Sequence, residues 1–110
     1  PPRFAVRLDD GRSFAVHQRV IVGRAPQRVS RDDSDAVLVN IEDGSTIAPS
    51  HFAVTWHDGR LLVEDLGSAG GSTVVSPSGV QTRITNAAPM QVGDGWVVVF
   101  GARRAQVSLV

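Results

Sequence analysis

The chain has 110 residues, eleven basic and eleven acidic, so its formal charge cancels and leaves no electrostatic footprint for nucleic acid or an anionic membrane surface. It contains no cysteine, which excludes a disulfide framework, thiolate metal sites and thiol catalysis. No apolar run approaches the ~18 residues of a membrane helix, and no signal-peptide pattern opens the sequence.

Taken in chain order, turn signals recur at short intervals and helical periodicity is missing. Arg3 to Leu8 (RFAVRL) alternates, with Phe4, Val6 and Leu8 on one face, and Asp9 to Gly11 joins it to SFAV (13–16) as a hairpin. Arg19 to Arg24 (RVIVGR) predicts a buried strand with a polar exit. The polar run Ala25 to Asp35 carries both signs of charge and predicts a solvated insertion, after which Ala36 to Asn40 predicts another strand. HFAVTWH and RLLVEDL are separated only by Asp58-Gly59, a strong hairpin signal, and Phe52, Val54 and Trp56 share one face of the first arm. TVV (73–75), VQTRI (80–84), WVVVF (96–100) and AQVSLV (105–110) complete about ten strands. The unbroken apolar run Val97 to Phe100 predicts a strand buried on both faces. Ten to eleven short strands with Gly, Asp, Ser and Pro turns predict an all-β, antiparallel β-sandwich. A chain of this size buries one core without staples, so residues 1–110 read as a single domain. The ends PPRFAV and RAQVSLV suggest a domain cut from a longer protein, located in the cytoplasm or forming the soluble part of a membrane-associated parent.

The residues offer little chemistry of their own. His51 and His57 lie six positions apart on one predicted strand, hence about 20 Å apart at ~3.3 Å per residue, so they cannot share a metal ion. Ser50 and His51 are neighbours and point to opposite faces, which rules out a nucleophile–base dyad. The only glutamates, Glu42 and Glu64, are unrelated in position, and the aspartates cluster in turns. The glycine-rich GSAGGS (67–72) lacks the Gly-Lys-Ser/Thr ending of a phosphate-binding loop and precedes a strand rather than a helix. No catalytic residue, metal site or cofactor is expected.

Four segments in order resemble a forkhead-associated (FHA) domain. They are VIVGR, APSHFAV, DLGSAGGST and VGDGWVVVFG, and together they run through nearly the whole chain. The resemblance implies an eleven-stranded sandwich whose loops bind phosphothreonine peptides without catalysis. It places Arg24 at the phosphate-binding arginine. His51 falls at a structural histidine that ties loops together, and Gly23, Asp65, Ser68, Gly71 and Ser72 at scaffold positions. A positive φ is expected at Gly71.

The departures fall on the contact positions. Ala48 stands where the family has its phosphate-binding serine, and Pro49 where it has a polar residue; Ala69 replaces a frequent threonine and Gly70 the peptide-clamping asparagine. Ala48 has no hydroxyl, Pro49 no N–H and Gly70 no amide. Each lost charge-assisted bond forfeits about 1.5–3 kcal/mol, so two or three mean roughly 100-fold or more in affinity. Ser45, Thr46 and Ser50 flank the altered positions, and Arg28 and Arg31 follow Arg24; all five are candidates for compensation. Two readings follow. One is a divergent interaction module that docks a partner protein through its loops or a sheet face with weak or absent phosphate dependence. The other is a phosphothreonine-peptide reader that uses Arg24 and nearby loop hydroxyls. Neither involves nucleic acid or membrane insertion.

Overall fold

The computed structural model describes residues 3–42, 45–85 and 88–110, with Asp32 described by its backbone alone. Its strands are β1 (Phe4–Leu8), β2 (Ser13–Val16), β3 (Arg19–Gly23), β4 (Val37–Asn40), β5 (Phe52–His57), β6 (Arg60–Asp65), β7 (Ser72–Val75), β8 (Gln81–Ile84), β9 (Met90–Val92), β10 (Val97–Phe100) and β11 (Arg103–Leu109). They form a six-stranded sheet in the order β2-β1-β11-β10-β7-β8 and a five-stranded sheet in the order β4-β3-β5-β6-β9.

Alternation along each strand sends one set of side chains between the sheets. Val6, Leu8, Val74, Val98, Phe100, Ala105 and Val107 of one sheet meet Val20, Val22, Phe52, Val54, Leu61 and Val63 of the other in a single core. Phe52 and Phe100 join the layers, with ring centroids 4.7 Å apart. The Asp58-Gly59 turn holds both residues at positive φ, 51° and 73°, in register with the pair His57–Arg60, as the sequence predicts. Among the described residues no helix is long and apolar enough to cross a membrane.

Three features depart from the sequence reading. β9, three residues between Pro89 and Gly93, is too short to announce itself by alternation. β10 is not buried on both faces: Val98 and Phe100 enter the core, whereas Val97 and Val99 face outward and are half-buried. The sandwich is also not wholly antiparallel, because β4 runs parallel to β3, with Val20 opposite Val37 and Gly23 opposite Asn40.

The parallel pair explains the polar insertion. Parallel neighbours need a crossover of about a dozen residues to return the chain to its starting end, and residues 24–36 make that return. Although mostly exposed, this segment is anchored. It lies over the outer face of the five-stranded sheet, where Ile21, Ala36 and Ala53 form a second buried cluster with Leu38 and Leu66. A 3-10 turn, Arg31–Asp33, places the carboxylate of Asp33 in the interior. Arg19 of β3 donates from Nε to Asp33 Oδ1 at 2.7 Å and from Nη1 to Thr55 Oγ1 at 2.8 Å, and it also ion-pairs with Glu64. Burial pushes the Asp33 carboxyl up, but the Val29 N–H and the Arg19 guanidinium outweigh it, so its net shift is downward.

A carboxyl lowered by folding contributes stability above its ordinary value of 3.8 and loses it as pH falls through the folded value. Asp33→Asn should cost roughly 2–4 kcal/mol at neutral pH, since it leaves the partly buried Arg19 without the charge of its buried partner. Urea unfolding of both proteins at pH 7 and near pH 2–3 checks this: the gap between them should close in acid. A gap that is the same at both pH values would contradict the role of the charge.

Candidate functional site

Three loop tips meet at the end of the sandwich where β3 terminates. Gly23 is the last residue of β3, and a Cβ built on it would stand 1.9 Å from the carbonyl oxygen of Pro49. The requirement is for close backbone approach rather than for an unusual φ. With that approach made, the Arg24 N–H donates to Ala48 O at 3.2 Å and the Ala25 N–H to Pro49 O at 3.1 Å, stitching the start of the crossover to the loop that precedes β5. Asn40, at the end of β4, donates from Nδ2 to Arg24 O at 2.9 Å and holds the same corner from the other side.

His51 joins the third tip. It is 1% exposed, and its backbone N–H donates to Val22 O at 2.8 Å. The Ala48 N–H donates to Nδ1 at 3.1 Å, so Nδ1 carries no proton, and Nε2 donates to Gly71 O at 2.9 Å. One neutral imidazole thus spans the loops carrying Ala48-Pro49 and Ala69-Gly70. Gly71 adopts φ 72°, the left-handed conformation expected of it.

The loop after β6 is organised from beneath by Asp65, a buried carboxylate. Its Oδ2 accepts the N–H groups of Gly67 at 3.0 Å and Ser68 at 2.9 Å, while Oδ1 accepts the hydroxyls of Ser68 at 2.6 Å and Ser72 at 2.7 Å. Four donors onto one carboxylate set the loop's shape. They also turn both serine hydroxyls inward, away from any ligand. Above them Ala69 and Gly70 are exposed, and nothing lies within 4 Å of a Cβ built on Gly70.

The structure therefore brings Gly23, Arg24, Ala48, Pro49, Ser50, His51, Gly70 and Gly71 into one neighbourhood. Arg24 is exposed; its Nε donates to Ile47 O at 3.1 Å, and its two terminal nitrogens have no partner among the described residues. Ser50 Oγ accepts the Gln27 N–H at 3.2 Å and keeps its own proton available. Ser45 is exposed. Thr46 instead faces the β10–β11 turn, where its Oγ1 accepts the Ala102 N–H at 2.9 Å. Arg28 donates to Ala36 O, and Arg31 shares a groove with Gln18 and His57; both lie towards the opposite end of the sheet and do not compensate at the tip. Two contributors escaped sequence reasoning. Asn40 looks like an ordinary strand end. Arg83 of β8, on an outward position, lays its guanidinium 2.8 Å from where a Gly71 Cβ would stand. No group of three or more metal-ligating side chains occurs among the described residues.

These glycines should respond differently to alanine. Gly23→Ala drives a Cβ into Pro49 O and should cost roughly 3 kcal/mol or more, whereas Gly71→Ala should cost about 1–2 kcal/mol for its left-handed φ. Gly70→Ala, facing open space at negative φ, should stay within about 0.5 kcal/mol. Chemical denaturation of the three variants checks the order; a silent Gly23→Ala would mean that the tips are not packed as described.

A family model for the FHA domain matches residues 20–101. The chain is similar to an FHA domain solved in a structural and functional analysis of phosphothreonine-dependent FHA domain interactions, with 22% identity, a TM-score of 0.71, and coverage of 98% of this chain and 97% of that one. It is likewise similar to the FHA domain of the CT664 protein from Chlamydia trachomatis, at 22% identity and TM-score 0.70, covering 96% of each chain. A third similar structure is the FhaA FHA domain complexed with the intracellular domain of Rv3910, at 22% identity and TM-score 0.68, covering 94% of this chain and 98% of that one. No curated protein matches the sequence. With its glycine–arginine corner, histidine bridge and carboxylate-organised loop assembled at one end of a two-sheet sandwich, and with the family model spanning most of its length, the chain belongs to the FHA domain family.

Proposed function

We propose that this FHA domain is a non-catalytic interaction module whose loop tip docks a partner protein with weak or absent dependence on phosphate. FHA domains are phosphopeptide-binding interaction modules, generally without catalysis. The observation that carries the finer reading is the fate of the donors at the tip. The hydroxyls of Ser68 and Ser72 are taken by Asp65, the Ala48 N–H is taken by His51, and Pro49 has none. Gly70 and Ala69 contribute open backbone and a methyl group. What remains for an anion beside Ala48 and Pro49 is Arg24, aided by the Ser50 proton and Ser45, while Arg83 lies on the other sheet against Gly71.

One charge-assisted contact contributes roughly 1.5–3 kcal/mol. Micromolar binding requires about 8 kcal/mol. Shape and apolar contact with Pro49, Ala48 and Ala69 must then supply most of the affinity, and a phosphate only a minor share. The alternative, a phosphothreonine reader, draws its support from the unpaired terminal nitrogens of Arg24.

NMR titration with matched phosphothreonine and unphosphorylated peptide libraries separates the two. The proposal expects a response at the Ala48, Ser50 and Gly70 resonances that differs less than about tenfold in affinity between the libraries. Saturable binding seen only with phosphorylated peptides and abolished by Arg24→Ala would establish the reader instead. The double variant Ala48→Ser with Gly70→Asn adds a hydroxyl at position 48 and an amide at position 70, where space is open, and should strengthen phosphopeptide binding by about tenfold or more. Absence of any gain would show that those two positions do not face the ligand.

A further inference from the structure

The unbroken apolar run of β10 is left unexplained by the core. Only Val98 and Phe100 are needed there; Val97 and Val99 point away from it, where the outer face of a sandwich sheet is ordinarily polar. The register shows what surrounds them. Arg7, Gln106, Val97, Val75 and Gln81 form one cross-strand row on the outer face of the six-stranded sheet. Arg104, Val99, Thr73 and Arg83 form the next. Three half-buried valines thus make a floor bracketed by Arg7 and Arg104 on one side and Arg83 on the other.

Two shallow grooves cross this face, about 340 Å³ beside Arg7 and Arg104 and about 310 Å³ between Val75, Val99 and Arg104. The guanidinium groups of Arg7, Arg83 and Arg104 have no hydrogen bond or ion pair with any described residue. Of the residues lining the grooves, Asp9 is the sole carboxylate, and Arg103 and the Arg104 N–H already hold it. The chain's charge is balanced overall yet segregated here. Nor, among the described residues, does any connection cover this face, whereas the crossover covers its counterpart on the five-stranded sheet.

We propose that this face is a second docking surface for an acidic partner segment that also presents apolar side chains; it is centred on β10 and β11 and meets the loop tip only at Arg83, whose guanidinium lies beside Gly71. The valine floor takes apolar contact and the flanking guanidinium groups take carboxylates. Isologous pairing of two copies would set arginine against arginine, so the occupant is a different molecule. Arg104 on β11 and Arg83 on β8 are three strand spacings apart. At ~4.8 Å per strand that is about 14 Å, and an extended segment covers it in about four residues. The matching partner therefore carries acidic side chains about four or five positions apart with apolar residues between them.

The test uses a capped, unphosphorylated peptide of about ten residues with Asp/Glu pairs flanking an apolar tetrad. Its controls are an Asn/Gln version and a short DNA duplex. With isotope-labelled domain, the acidic peptide should shift β7, β8, β10 and β11 resonances, bind about tenfold tighter than the Asn/Gln version, and weaken with added salt. Arg104→Glu and Val99→Thr should each weaken it by about tenfold, and a two-dimensional spectrum of each variant shows that it remains folded. Arg24→Ala should leave this binding unchanged, which separates it from the tip. No localised shift, equal binding of the neutral peptide, loss of binding in Arg24→Ala, or preferential binding of the duplex would each overturn the proposal.

Discussion

The imidazole of His51 is the contact on which the rest of the site depends. It is buried, neutral and bonded at both nitrogens, to Ala48 on one loop and Gly71 on another, while its backbone locks to Val22. A buried side chain with both polar atoms satisfied is rigid, because releasing either bond leaves an unpaired group away from water. Position in the fold follows from this: Gly23 reaches Pro49, Arg24 projects beside Ala48, and Gly70 stands beyond Gly71. The chain's own hydrogen bonds give the loops a defined mutual geometry.

Rigidity and binding chemistry are separately encoded here. Asp65 spends four donors on shaping its loop, and the two hydroxyls among them face inward. The scaffold is therefore complete while the outward surface is nearly bare of donors. That division accounts for a chain that belongs to the FHA domain family yet lacks most of the groups expected to grip a phosphate. Arg24 is the exception at the glycine–arginine corner, where its Nε bond to Ile47 O leaves its terminal nitrogens without a partner among the described residues, and Arg83 flanks Gly71 from the other sheet.

The two outer faces of the sandwich have opposite fates for one topological reason. Making β4 parallel to β3 forces a long return, and the return lies across the five-stranded sheet, burying Ile21 and Ala53 and pairing Arg19 with Asp33. The six-stranded sheet is joined through tight turns between β1 and β2, β7 and β8, and β10 and β11, and none of these has the length to fold back over it. Its valines and arginines stay at the surface.

Local signals in the sequence determined the strand inventory. Alternation in RFAVRL, the Asp58-Gly59 turn and the β-branched runs all act between near neighbours, so ten of the eleven strands were legible. So were the glycine–arginine corner, the bridging histidine and the missing contact groups, because each is a residue type at a position in an ordered set of motifs. Only the tertiary structure decided the rest. The parallel β3–β4 pair, the burial of Asp33, the inward turn of Ser68 and Ser72, and the outward turn of Val97 and Val99 depend on which segments lie against one another. A residue's type states what it can bond to or bury; its neighbours, often brought from dozens of positions away, settle which of those options is used.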